Sequence, residues 1–239
     1  MLEIVEIIRP AYQGRTTPFL CKASDGEMYF VKGYAASNLG LIKEWMGANL
    51  ATEFGLPVPP FAIAYLDEAL VNAYEGKASS EIKGGYVFAS KQVPSVTELK
   101  FGTIPLVDDF TRLSVLIFDL WVENEDRTLS ANGGNPNLLW KTDNSQLYVI
   151  DHNLIFDANF NQENFWDTHV FKSEFCHKQA DFLEQQAFEE RMKKALDSWS
   201  IAWDKLPDEW LELSFNFNPD LNLQRLSEEA NGNIWSKMP

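Results

Sequence analysis

Between Glu125 and His152 the chain sets polar anchors in a fixed order on different kinds of segment, and that order restricts the available folds more than any bulk property. Asp126 follows Phe110 to Trp121, an apolar run that reads as a buried helix. Asn135-Pro136-Asn137-Leu138-Leu139 comes next, and Leu147-Tyr148-Val149-Ile150 then reads as a strand ending on Asp151-His152. An acid on a loop can orient a hydroxyl, while an amide and a second acid supply hard oxygen ligands for a divalent cation; phosphoryl transfer needs these parts. Each part also has an ordinary reading: a helix-end ion pair for Asp126-Arg127, a connecting turn for Asn132-Gly133-Gly134-Asn135-Pro136, a cap for Asp151. Their conjunction favours the chemical reading.

Upstream, Ile4 to Ile8 and Phe19 to Ala23 read as strands on either side of the turn-rich Gln13-Gly14-Arg15-Thr16-Thr17-Pro18. Ser24-Asp25-Gly26 predicts a tight turn into the strand Glu27 to Lys32. Leu39, Ile42, Trp45, Met46, Leu50 and Phe54 recur at helical steps, predicting a helix over 38–54 that stops at Gly55 with Pro57, Pro59 and Pro60 beyond. Phe61 to Leu66 and Gly85 to Ser90 read as further strands. From about Val107 the pattern turns helical, including one amphipathic stretch from Gln179 to Trp203 and a short piece from Pro207 to Leu213. The plan is α+β: a single domain over 1–239, with a strand-rich N-terminal lobe over 1–93 and a helix-rich C-terminal lobe over 94–239, joined near Ser90 to Ser95.

Lys32 ends a strand and Glu44 lies on the helix that follows, so a carboxylate can hold the ammonium where it meets nucleotide phosphates; a surface ion pair is the alternative. The 13–17 turn lies where a phosphate-covering loop would be, but its single glycine gives no fingerprint, and a plain turn rich in hydroxyls fits it too. The nucleotide-binding candidates are Gln13, Gly14, Arg15, Lys32 and Ser90.

Composition excludes several classes. With 45% hydrophobic residues, eight tryptophans and seventeen phenylalanines, the chain has ample core material. A net charge of −15 repels polyanions, which argues against nucleic acid and an anionic membrane as partners, and obliges any ATP site to work through a local lysine, backbone amides and Mg²⁺. Cys21 and Cys176 are too few for a disulfide framework, and the N-terminus lacks a signal-peptide pattern, so a cytoplasmic location is expected.

Several pieces together resemble the HipA-like kinases, a divergent branch of the protein-kinase-like fold distantly similar to the phosphatidylinositol kinases. They are Asp25-Gly26 leading into Tyr29-Phe30-Val31-Lys32, and Glu44 with Glu53-Phe54-Gly55-Leu56-Pro57-Val58-Pro59. Phe118-Asp119-Leu120-Trp121 before Asn124-Glu125-Asp126-Arg127-Thr128, Asn135 to Leu139, and Ile150-Asp151-His152 complete the set. The resemblance implies a bilobal kinase-like fold, Lys32 on the phosphates of ATP braced by Glu44, Asp126 as catalytic base, Asn137 and Asp151 on Mg²⁺, and a serine or threonine of a protein substrate as acceptor. Departures are the lack of a Gly-rich loop, an insertion from Leu129 to Asn135, and Asp151-His152-Asn153 in place of Asp-Phe-Gly. The metal amide stays open among Asn132, Asn135 and Asn137. A small-molecule acceptor, and an inactive kinase-shaped interaction module such as a toxin-antitoxin or defence partner, remain the alternatives.

Overall fold

A computed structural model describes residues 1–11, 17–173, 182–212, 214 and 217–238. The chain divides into two compact units, each discontinuous in sequence: Met1–Trp45 with Pro59–Pro94 and Leu206–Phe217, and Met46–Val58 with Ser95–Lys205 and Asn218–Pro239.

The first unit is built on a closed barrel of β1 (Leu2–Pro10), β2 (Phe19–Ala23), β3 (Met28–Lys32), β4 (Phe61–Leu66) and β5 (Gly85–Lys91), in the order β1-β2-β3-β5-β4. Parallel pairing of Leu2 with Ala64 and Ile4 with Leu66 closes it. On β1 the buried positions are Ile4, Ile7 and Pro10, a spacing of three instead of two. Two bulges, between Ile4 and Glu6 and between Ile7 and Arg9, each add a residue opposite β2 and restore the inward direction. Ile4, Phe19, Cys21, Val31, Leu66 and Val87 fill the interior. Burial pushes the Cys21 thiol up to about 12. In the β2–β3 turn Gly26 has φ +85°, and the Asp25 carboxylate accepts from Glu27 N at 3.0 Å and from the Tyr29 hydroxyl at 2.8 Å.

Helix α1 (Asn38–Phe54) follows β3, and α2 (Glu68–Ala73) is capped by Asp67, which accepts from Ala69 N at 2.7 Å. The late segment of this unit carries α7 (Asp208–Leu211), whose fully buried Trp210 donates its indole N–H to Tyr86 O at 3.2 Å.

The second unit is organised around α3 (Asp109–Trp121), where Leu113 to Trp121 are all buried, as expected of a helix enclosed on every side. β6 (Thr97–Glu98), β9 (Leu138–Lys141) and β10 (Gln146–Val149) form a sheet in the order β10-β9-β6. Residues 129–135, expected as an inserted loop, instead belong to a hairpin of β7 (Thr128–Ser130) and β8 (Gly133–Asn135). Among the described residues the remaining helices are α4 (Gln162–Thr168), α5 (Phe182–Leu196), α6 (Trp199–Trp203) and α8 (Pro219–Ala230). The single helix expected up to Trp203 is broken between α5 and α6 at Asp197-Ser198, where the Ser198 hydroxyl donates to Ala195 O at 2.7 Å. Residues 179–181 of that expectation lie outside the described residues. Phe54 packs on Phe118 at 5.4 Å between ring centroids and carries the Arg191 guanidinium 4.2 Å above its ring. Among the described residues no helix is long and apolar enough to cross a membrane.

Candidate functional site

In the first unit, the pairing between β3 and α1 is the one the sequence suggested. Lys32 Nζ lies 2.9 Å from Glu44 Oε2, with the two side chains 12% and 3% exposed. A pair this dry is poorly screened, so Glu44 fixes the ammonium in place. Ser90 sits in β5 beside Phe30 of β3 and Phe61 of β4. Gln13, Gly14 and Arg15 lie outside the described residues.

In the second unit, Asp126 stands on the loop after α3. Its Oδ2 accepts two amide hydrogen bonds, from Asn135 Nδ2 at 2.7 Å and from Asn137 Nδ2 at 2.8 Å. The carboxylate is thereby held in one orientation, and with the Asn137 nitrogen committed to Asp126, the amide oxygen is the Asn137 atom suited to a cation. Asn132 lies in the β7–β8 turn, where its N–H donates to Ser130 Oγ at 3.2 Å. Asn137 and Asp151 both adopt left-handed backbone conformations, φ +48° and +59°. Asn and Asp tolerate that region best among residues with a side chain, and such geometry persists only where the surroundings enforce it.

Arg127 does the enforcing. Its Nη1 donates to Asn137 O at 2.6 Å and to Ile150 O at 3.1 Å, while Ile150 N donates to Asn137 O at 3.1 Å. One fully buried guanidinium therefore ties down the backbone at Asn137 and at the residue preceding Asp151. The charge is balanced by Asp119, equally buried on α3, whose Oδ2 accepts from Arg127 Nε at 2.7 Å. Asp119 Oδ1 accepts from Asn124 Nδ2 at 2.9 Å, and Asn124 Oδ1 accepts from Asp126 N at 3.2 Å. Arg127 thus pairs with Asp119; the helix-end pair with Asp126 does not form.

His169 completes the network. Phe171 N donates to His169 Nδ1 at 3.1 Å, so Nδ1 is the acceptor and the ring proton resides on Nε2, which donates to Asp119 Oδ2 at 3.0 Å. Burial holds His169 below its ordinary range, which keeps the ring neutral. For Asp119, burial pushes upward, but Arg127 and the His169 hydrogen bond outweigh it, and the carboxyl lies below the usual carboxylate range.

Asp119, Arg127 and His169 were not singled out as site residues from the sequence. A signal was present: Asp119 interrupts the apolar run Leu113 to Trp121, and a buried carboxylate must find a cation. Its partners lie 8 and 50 residues away, which spacing alone does not disclose.

Among the described residues no three His, Cys, Asp or Glu side chains gather to hold a metal by themselves. One amide and one carboxylate suit Mg²⁺, which commonly takes few protein ligands and fills its shell with phosphate and water oxygens.

An α+β chain of this architecture belongs with the protein-kinase-like folds, and solved kinases share it. The Helicobacter pylori proinflammatory kinase CtkA matches over 98% of this chain and 94% of its own, at 12% identity and a TM-score of 0.50. A Golgi casein kinase matches over 100% of this chain and 73% of its own, at 10% identity and a TM-score of 0.51. At such identities the likeness concerns the fold alone. The chain belongs to the HipA-like kinase family, whose model matches residues 4–238. No curated protein matches the chain.

Proposed function

We propose that the chain is an ATP- and Mg²⁺-dependent phosphotransferase of the cytoplasm that moves the γ-phosphoryl group of ATP to a serine or threonine hydroxyl of a protein. The observation that carries this reading is the doubly anchored Asp126 carboxylate, joined through Asn137 and Arg127 to the strand end that bears Asp151.

Asp126 orients the acceptor hydroxyl and takes its proton as the oxygen forms a bond to the γ-phosphorus, while the bond from that phosphorus to the β,γ-bridging oxygen breaks and ADP leaves. Lys32, held by Glu44, is the residue that the likeness to kinases assigns to the phosphates of ATP. Asn137 and Asp151 would hold Mg²⁺, which neutralises charge on the phosphate oxygens. Catalysis is then positioning and electrostatics, the work for which a pre-ordered set of side chains is suited.

Membership of a kinase family supports the reaction class, and the presence of Lys32, Glu44, Asp126, Asn137 and Asp151 in one chain supports activity. Incubation with γ-labelled ATP, Mg²⁺ and a mixture of protein acceptors, followed by phosphoamino-acid analysis, tests the reading. Labelled phosphoserine or phosphothreonine is expected; label on small molecules alone would redirect the acceptor assignment, and no transfer together with no thermal shift on adding Mg-ATP would refute the proposal.

A further inference from the structure

Residues 122–127, which lead from α3 to β7, form a rail for the segment from Ile150 to Val170, which runs along it in order from Phe156 onward. Val122 O accepts from Phe156 N at 2.7 Å, and Glu123 O from Asp157 N at 3.4 Å. The Glu125 carboxylate then accepts from Asn161 N through one oxygen and from Asn164 Nδ2 through the other, the latter at 2.8 Å. Arg127 holds both ends: Nη1 donates to Ile150 O at 3.1 Å, and its carbonyl accepts from Val170 N at 3.0 Å.

Many protein kinases order the segment after the metal-binding acid by phosphorylating it, so that the phosphate pairs with arginine. Their catalytic acid is itself preceded by arginine in the His-Arg-Asp motif. Here the residue before Asp126 is Glu125, of opposite charge, which would repel a phosphate. From Asp151 to Asp167 there is no serine, threonine or tyrosine at all, and the first hydroxyl, that of Thr168, donates to Asn164 O at 2.8 Å.

We propose that Glu125 is a positioning residue for the transfer reaction: its carboxylate fastens the start of α4 to the Asp126 loop and supplies the order that a phosphate supplies elsewhere. The chain is therefore competent without phosphorylation of residues 151–169. This rests on the reading of Asp126 given above. Glutamate suits the task because its oxygens satisfy a backbone N–H and a side-chain amide at once, and because it adjoins the residue whose position matters.

The test uses the full chain treated with a broad-specificity phosphatase, with Glu125→Ala, Glu125→Gln and, to spare the catalytic loop, Asn164→Ala. Steady-state transfer kinetics are read together with hydrogen exchange over 155–170. Dephosphorylated wild type is expected to keep its full rate. Glu125→Ala is expected to lose about tenfold or more in kcat with the KM for ATP nearly unchanged, the pattern of misplacement without lost binding, and to exchange faster over 159–168. Glu125→Gln, which keeps one acceptor oxygen, and Asn164→Ala, which removes one donor, fall between. Wild-type kcat in Glu125→Ala overturns the proposal, as does loss of wild-type activity on dephosphorylation. Failure of the kinase reading itself has a different signature, absence of transfer and of Mg-ATP binding in the wild type; the latch is then judged by exchange, and equal protection in wild type and Glu125→Ala overturns it.

Discussion

Arg127 Nη1 donates to the carbonyl oxygen of Asn137 at 2.6 Å, so the backbone of the candidate metal amide hangs from the residue that follows the candidate base. The same nitrogen reaches Ile150 O, one residue before Asp151, while Nε is neutralised by Asp119. Truncating Arg127 leaves a buried carboxylate unpaired, a change that costs about 3–5 kcal/mol. Arg127→Ala is expected to lower the melting temperature sharply. Arg127→Lys, which keeps the charge but lacks the planar fork needed to reach Asp119 and both carbonyls, should lose most transfer activity even where it folds. Thermal denaturation and a transfer assay on both variants check this; an active, stable Arg127→Lys would count against the clamp.

Acid lability should follow from the same network. The folded-state value of His169 lies below its unfolded value of about 6.5, so its contribution is fully present above that pH. As pH falls below it, the unfolded chain takes up a proton that the folded chain refuses, and stability drops by up to about 1.4 kcal/mol per pH unit until the folded value is reached. Asp119, also depressed, adds a second loss that begins only below its unfolded value of about 3.9 and runs down through its folded value. Urea denaturation between pH 8 and 5 should show the first slope in the wild type and a shallower one in His169→Gln, whose amide can still donate to Asp119. Identical slopes would remove His169 from the account.

Gly47 offers a prediction of opposite sign to helix propensity. It lies inside α1, where alanine would ordinarily gain about 1 kcal/mol. A Cβ there would come within 2.5 Å of His152 Cβ and 2.7 Å of Ile155 Cδ1, on the turn that follows Asp151. Gly47→Ala is therefore expected to destabilise by about 1–3 kcal/mol and to weaken Mg-nucleotide binding. A raised melting temperature with unchanged binding would contradict the close approach.

The pair of Lys32 and Glu44 should behave as a unit. Lys32→Met and Glu44→Ala are each expected to raise the KM for ATP, and the double variant to be little worse than either alone, because Glu44 acts through Lys32. Additive losses in such a cycle would mean that the two residues work independently.

The sequence disclosed most where signals are local. Gly55 and the prolines after it end α1 at Phe54 as expected, and Ser24-Asp25-Gly26 makes the β2–β3 turn that delivers Lys32. Barrel closure was not legible, because parallel pairing of β1 with β4 joins residues about sixty positions apart and the bulges on β1 erase its alternation. Residues 129–135 stood out as extra length between acid and amide, but Asn and Gly serve open turns and hairpins alike, so only the pairing of Leu129 with Gly134 reveals β7 and β8. At the candidate site, Asp126, Asn137 and Asp151 stood out by order and residue type. Asp119, His169 and the Glu125 latch did not, since each acquires its meaning from partners that folding brings to it.

The central claim is that Asp126 and Asp151 do different work in one transfer reaction. Phosphoryl transfer from γ-labelled ATP, measured in parallel with Mg-dependent nucleotide binding for wild type, Asp126→Asn and Asp151→Asn, tests it most directly. Asp126→Asn is expected to bind Mg-ATP like the wild type and to transfer at least about a hundredfold more slowly, whereas Asp151→Asn should lose Mg-dependent binding and transfer together. Full transfer by both variants, or an Asp151→Asn protein that binds Mg-ATP normally, would contradict the account.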